Sequence, residues 1–118
     1  LISKDVIVNE EAFNAYLTLH GVTHLHATPT FLERVTLTAG FIRRVASGGE
    51  ECNRQLADKF YPKYDFYNKY GPTETTVTSL IYKYVRTDTA RPTVPIGKPV
   101  RNTRVYIMST SGQLQPLG

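Results

Sequence analysis

The sequence predicts an α/β fold, with helices flanking a mixed, largely parallel sheet. Three observations carry this. Short β-branched and aromatic runs alternate with segments of helical apolar spacing up to residue 70, later runs follow one another without helices, and capping or turn residues mark the junctions. Strands joined through helices pair in parallel, whereas strands joined by short turns reverse direction.

The elements follow in order. Leu1-Ile2-Ser3 reads as the tail of a strand. Asn9 is placed to cap a helix, Glu10 and Glu11 suit its positive first turn, and Gly21 stops it. Ala12, Tyr16 and Leu19 form one apolar stripe on it, and Phe13 with Leu17 another. Thr23 to Ala27 reads as a strand. Thr28-Pro29-Thr30 then opens a second helix, in which Thr30 and Glu33 have capping-box spacing and which fades by Gly40. Phe41 to Ala46 suggests a strand, Gly48-Gly49 a loop, and Asn53 to Phe60 a helix with Leu56, Ala57 and Phe60 on one face before Pro62. Asp65 to Tyr70 is the next strand, and Val77 to Val85 is strand-like. Asp88 to Pro95 is a loop, and Arg104 to Met108 is a strand closing at Ser109-Thr110-Ser111-Gly112.

Composition narrows the function classes. The chain has 118 residues, 41% hydrophobic and 20% charged, which is ordinary globular composition and argues against disorder. The net charge of +4 would suit a polyanion, but Arg43-Arg44 is the only adjacent basic pair, so a nucleic-acid partner is not expected. No apolar run is long enough for a membrane span, and no signal-peptide succession is present. Cys52 is the single cysteine and cannot form an internal disulfide, which is compatible with a reducing cytoplasmic location. Glu50 and Glu51 beside it disfavour a thiolate, so Cys52 reads as structural.

The chemistry is concentrated in Tyr67-Asn68-Lys69-Tyr70-Gly71-Pro72-Thr73-Glu74-Thr75-Thr76. Tyr70 offers a flat face for a purine, Asn68 can both donate to and accept from a base edge, and Gly71-Pro72 force a turn. Thr73 and Glu74 then fall where phosphates would lie, with Glu74 suited to a Mg²⁺ riding on them. Strand alternation sends Asn68 and Tyr70 to one face and Lys69 to the other, so one strand end would serve two ligands. Taken alone, a core tyrosine and a solvated lysine account for the same residues. Gly48 and Gly49 permit close backbone approach to a ring, although glycine pairs commonly just make turns. His24 and His26 share a strand face without partners at zinc-ligand spacing, and His20 beside Gly21 reads as a helix-end cation.

This stretch resembles the Asn-x-Tyr-Gly-Pro-Thr-Glu signature of adenylation domains of non-ribosomal peptide synthetases, within the adenylate-forming enzymes. Val45-Ala46-Ser47-Gly48-Gly49-Glu50 upstream is similar to that family's glycine loop, and Pro95-Ile96-Gly97-Lys98-Pro99 through Ile107 matches downstream. Pro72 and the Pro-Ile-Gly-Lys-Pro stretch favour the peptide-synthetase branch over acyl-CoA synthetases and luciferases.

The resemblance covers nearly the whole chain and implies an internal piece, residues 1–118, of the large N-terminal subdomain of such an enzyme. An opening without methionine and an end at Gln115-Pro116-Leu117-Gly118 agree with that expectation. It implies ATP-dependent activation of an amino acid, with Thr73 and Glu74 catalytic and Glu74 on the metal. Gly48, Gly49, Glu50, Asn68, Tyr70, Gly71 and Thr73 would then lie against the nucleotide. His26, Ala46, Gly48, Lys69, Val77 and Thr78 would line the acid pocket, where small Ala46 and Gly48 leave room and His26 with Lys69 could pair with an acidic side chain. It also implies Mg²⁺, a phosphopantetheine carrier and condensation domains outside this chain, and an isolated segment that is inactive. An acyl-CoA or aryl-acid ligase, and a non-catalytic binding module, are the alternatives.

Overall fold

The computed structural model describes residues 2–75, 78–86 and 91–115. Two helices, α1 (Lys4–Val8) and α2 (Glu10–Leu19), precede β1 (His24–Ala27). Then come α3 (Pro29–Arg34), β2 (Arg44–Gly48), α4 (Arg54–Phe60) and β3 (Asp65–Tyr70). A 3₁₀ turn at Thr73–Thr75 leads to β4 (Leu80–Lys83) and β5 (Lys98–Pro99). The five strands form one sheet in chain order, parallel from β1 to β3 and antiparallel thereafter. The expected fold class therefore stands.

Strand order decides where the helices go. Right-handed crossovers between neighbouring parallel strands, taken in chain order, place their helices on the same face. The core agrees: Leu25, Val45 and Phe66, aligned by register, pack with Leu32 of α3, Leu56, Ala57 and Phe60 of α4, and Phe13 and Leu17 of α2. The opposite face carries His24 and His26, Arg44 and Ala46, then Asp65, Tyr67 and Lys69, with Ile81 and Lys83 on β4. Its contacts are exposed ones. Lys83 pairs with Asp65 at 2.7 Å, and the Arg44 guanidinium stands 4.9 Å from the Tyr67 ring centroid. Such solvated pairs add little stability.

Caps set the helix boundaries. The side chains of Asn9, Thr28 and Asn53 accept the N–H groups of Ala12, Phe31 and Leu56 at the starts of α2, α3 and α4. Lys59 of α4 donates to the carbonyls of Leu32, Glu33 and Val35 at 2.9 to 3.0 Å, neutralising the negative end of α3. Asn14, buried in α2, donates to Thr36 and accepts from Thr38 and Ala39, so the strip after α3 is tied down along its backbone.

Several expectations are corrected. Ser3 caps α1 rather than ending a strand, its side chain accepting from Val6; Leu1 lies outside the described residues. Thr28, not Thr30, caps α3, and that helix ends at Arg34. Residues 35–39 are extended, with Val35, Leu37 and Ala39 buried alternately, because the β-branched Val-Thr-Leu-Thr run favours that geometry once Lys59 has capped the helix. Leu19 is 81% exposed, so the Ala12, Tyr16 and Leu19 stripe of α2 does not reach the core, whereas Phe13 and Leu17 do. The strand of β2 starts three residues later than Phe41 and runs through Gly48. Arg104 to Met108 forms no ladder strand; only a Met108–Leu114 bridge closes a small hairpin, and Val105 to Met108 stay exposed.

Candidate functional site

Three chain segments meet beyond the carboxyl ends of β2 and β3 and enclose a cleft of about 540 Å³. They are Gly49–Cys52 after β2, Asn68–Gly71 at the end of β3, and Thr93–Ile96 ahead of β5. This is where parallel sheets collect ligands, since helix starts and loop amides converge there. Tyr70 is 51% exposed and presents its ring to that space. Gly49 adopts φ of 89°, a left-handed conformation that glycine takes without a side-chain clash.

Glu50 lines the cleft, but its carboxylate is engaged. Its Oε2 accepts from the Thr30 hydroxyl at 2.6 Å and from the Thr30 N–H at 3.1 Å. The Thr30 hydroxyl, then the Thr30 amide, hold its pKa below the ordinary carboxylate range. Thr30 thus has a part that its capping-box spacing concealed: it anchors the glycine loop to α3. The expected Glu33 partner of Thr30 instead accepts from Asn53 at 2.8 Å.

Asn68 is 4% exposed, and its side-chain nitrogen donates to the carbonyls of Val94 and Pro95 at 3.2 and 3.1 Å. Cys52 lies 1% exposed in the same wall region, and burial pushes its thiol pKa up, which suits a structural thiol. The wall at 93–96 falls at the end of the segment expected as a loop, to which the residue types assign no role in a site. Its signal lay in Pro95-Ile96, inside the downstream match but without a chemical group to draw notice.

The other face of the same strand ends gathers a second set. His26 pairs in register with Ala46, and Gly48 with Lys69. A Cβ on Gly48 would stand 2.8 Å from His26 Nε2, 3.1 Å from the Lys69 carbonyl and 3.5 Å from Lys69 Cβ. Glycine is therefore needed here for the imidazole to cross it. Partial burial and then the Lys69 ammonium lower the His26 pKa. Gly48 belongs to this side, and Gly49 to the cleft. Ala46 is 3% exposed between its neighbours, whereas Thr78 is half-buried two residues before β4. Val77 lies outside the described residues.

Thr73 and Glu74 are exposed on the 3₁₀ turn just past the cleft. The turn is held by Thr75, whose N–H and hydroxyl both donate to the Pro72 carbonyl, and by Ser79, whose hydroxyl donates to that of Thr75. The side chains of Thr73 and Glu74 take no part in these bonds. Among the described residues no group of three or more His, Cys, Asp or Glu side chains could hold a metal by itself. One exposed carboxylate fits Mg²⁺ nonetheless, because this ion is commonly held by one or two carboxylates together with substrate phosphates.

An α/β protein with a mixed sheet and a cleft beyond the ends of its parallel strands, bounded by a glycine loop and an exposed tyrosine, is the class that the fold defines. The profile of the AMP-binding enzymes matches residues 1–118, and the chain belongs to that family. It is 33% identical over 121 residues to tyrocidine synthase 1 of Brevibacillus parabrevis, covering 100% of this chain and 11% of that protein. Its fold is similar to the Vibrio cholerae adenylation domain AlmE, solved with glycyl-adenosine-5'-phosphate, with a TM-score of 0.69 and 26% identity over 86% of this chain and 21% of that one. The non-ribosomal peptide synthetase FmoA3, solved with α-methyl-L-serine-AMP, shares the fold at a TM-score of 0.79 and 23% identity, over 92% of this chain and 14% of its own. The chain thus spans a small part of the relatives it matches. No helix among the described residues is long and apolar enough to cross a membrane.

Proposed function

We propose that this chain is the central part of an amino-acid adenylation domain, and that the acid it activates carries an acidic side chain. The observation that carries the reading is the division of the strand ends into two sites by the sheet itself. The cleft with Gly49, Tyr70 and Gly71 takes adenine, and the turn with Thr73 and Glu74 faces the phosphates. His26, Ala46, Gly48, Lys69 and Thr78 face the acid, and Val77, outside the described residues, is assigned to the same pocket by the resemblance alone. Asn68 and Glu50 stand at the nucleotide side, Asn68 tied to the segment at 94–95 and Glu50 to Thr30 of α3.

In the proposed reaction an oxygen of the substrate carboxylate attacks the α-phosphorus of ATP. The bond from that phosphorus to the bridging oxygen breaks, and pyrophosphate leaves. Two anions must approach, so the protein's task is to hold them in line and offset their charge. The Thr73 hydroxyl would donate to a phosphate oxygen, and Glu74 is the residue that would hold Mg²⁺ on the triphosphate. When bound, Mg²⁺ would neutralise charge on the phosphate oxygens. The acyl group would next pass to the phosphopantetheine thiol of a carrier domain, with condensation domains further along the same assembly line. Nucleic acid and membrane have no part in this scheme, which we place in the cytoplasm.

Specificity follows from charge. Lys69 supplies a cation beside the neutral His26 imidazole, and both sit where the acid's side chain would extend. ATP–pyrophosphate exchange by the complete enzyme against a panel of amino acids and other carboxylic acids tests both layers. Aspartate-like or glutamate-like acids are expected to give the strongest exchange. Strong exchange with a neutral amino acid and only background with acidic ones would overturn the specificity; no exchange with any acid would overturn the activity.

A further inference from the structure

We infer that Thr30 is a positioning residue that holds the glycine loop against α3 through Glu50 and so sets the pockets for both the nucleotide and the acid. This deepens the adenylating role proposed above and rests on it. Two segments are involved, 26–30 and 48–50. The first carries His26 near the end of β1, the Thr28 cap, and Thr30 in the opening turn of α3. The second carries Gly48, which the His26 ring crosses on the acid side, then Gly49 and Glu50, which line the cleft. A shift of one segment against the other would therefore change both sites at once.

The first segment is firmly held. Ala27 pairs in register with Ser47, the Leu32 N–H donates to the Thr28 carbonyl at 3.0 Å, and Pro29 and Leu32 are buried. The loop leaves β2 at Gly48 and is next held where the Cys52 carbonyl accepts from the Val94 N–H. Among the described residues, the hydrogen bonds that residues 49–51 make run to the start of α3. One Glu50 oxygen takes both the Thr30 hydroxyl, at 2.6 Å, and the Thr30 N–H, at 3.1 Å. The first distance is that of a hydroxyl on an ionised carboxylate, and the N–H is one of the donors that the start of a helix leaves without a partner in the helix. A Cβ on Gly49 would stand 3.8 Å from Thr28 Cγ2, an ordinary contact, so loop and cap run side by side. Both Thr30 bonds are exposed, so losing the hydroxyl frees the loop locally and leaves the core intact.

The test uses the complete enzyme in ATP–pyrophosphate exchange, with KM measured for ATP and for the acid. Thr30→Val keeps the shape and the N–H but removes the hydroxyl; Thr30→Ser keeps the hydroxyl. The valine variant is expected to raise both KM values about fivefold with kcat within about twofold of the parent, as the loss of one such hydrogen bond implies, and the serine variant to match the parent. In a Glu50→Ala background the valine substitution should add less than about twofold, since its route is already cut. Unchanged KM values in the valine variant, or a fall in kcat alone, would overturn the inference. An undiminished valine effect in the Glu50→Ala background would do the same, by showing that Thr30 acts along another path. Should the valine variant fail to fold, Glu50→Ala cuts the tie from the loop side: ATP and acid KM rising together supports the inference, whereas a rise for ATP alone makes Glu50 a direct nucleotide contact and sinks it. A parent enzyme without exchange removes the proposed activity itself, and this inference with it.

Discussion

The two faces of the sheet end at the same strand tips but are built in opposite ways. On the covered face, side chains are buried and their polar groups bond to backbone: Asn68 to Val94 and Pro95, Tyr64 to Leu37, Asn14 to the strip at 36–39. On the open face His26 and Lys69 stand in or near solvent, and the nearby pairs are exposed. The difference teaches that the face proposed to take the nucleotide is shaped by a fixed backbone, whereas the face proposed to take the acid is shaped by side chains and their charge. A rigid site suits one invariant base, and an adjustable one suits substrates that vary.

The largest expected effect lies where the two sides meet. Glu74→Gln should lower exchange roughly a hundredfold, about 3 kcal/mol in the barrier, with the defect eased by raised Mg²⁺. An unchanged rate at limiting Mg²⁺ would remove Glu74 from the mechanism. Next comes Gly97→Ala, which drives a methyl group into the Ile81 backbone. A loss of about 2 kcal/mol in urea unfolding is expected, with the nucleotide KM rising first, since the covered side depends on that backbone. A fully stable variant would show the wall to be more pliant than described.

On the open side Gly48→Ala should displace the His26 ring, raising the KM for the acid about tenfold while the KM for ATP moves less than twofold. Equal shifts in both would break the comparison between the faces. The smallest effect is a pH dependence. The His26 pKa is lowered, so the ring is neutral at pH 7 and takes up a proton only below its ordinary value near 6.5. As pH falls through that lower range a second cation appears beside Lys69. The KM for an acidic amino acid should then fall a few-fold until the substrate's own carboxylate protonates near pH 4. The same linkage makes His26 oppose folding at low pH, because the unfolded chain binds its proton more readily. His26→Gln should flatten the KM profile; a profile still present in that variant would assign it elsewhere.

Much of this was readable from residues. Asn9 as a cap, a helix opening at Asn53, the strand from Asp65 to Tyr70, and the alternation that separates Asn68 and Tyr70 from Lys69 all follow from local chemistry and two-residue alternation. What sequence reading missed is non-local. Nothing near Lys59 says that its ammonium will find three carbonyls of α3, and nothing near Thr30 says that Glu50 will reach it. Asn68 reads as a base-edge partner because its amide can both donate and accept; that its nitrogen meets the carbonyls of Val94 and Pro95 depends on the fold. Arg104 to Met108 has strand-forming residues, yet a ladder needs a neighbouring strand, and the hairpin supplies only one bridge.

Chain order and strand order coincide from β1 to β5. Each new strand therefore docks on the one made just before it, and no strand has to wait for a distant partner or be threaded between two that are already paired. Loop closure stays short at every step, so assembly can keep pace with emergence of the polypeptide from the ribosome. A nascent chain whose first 70 residues have cleared the ribosome would already be able to carry the β1–β3 scaffold on which the signature turn is later mounted.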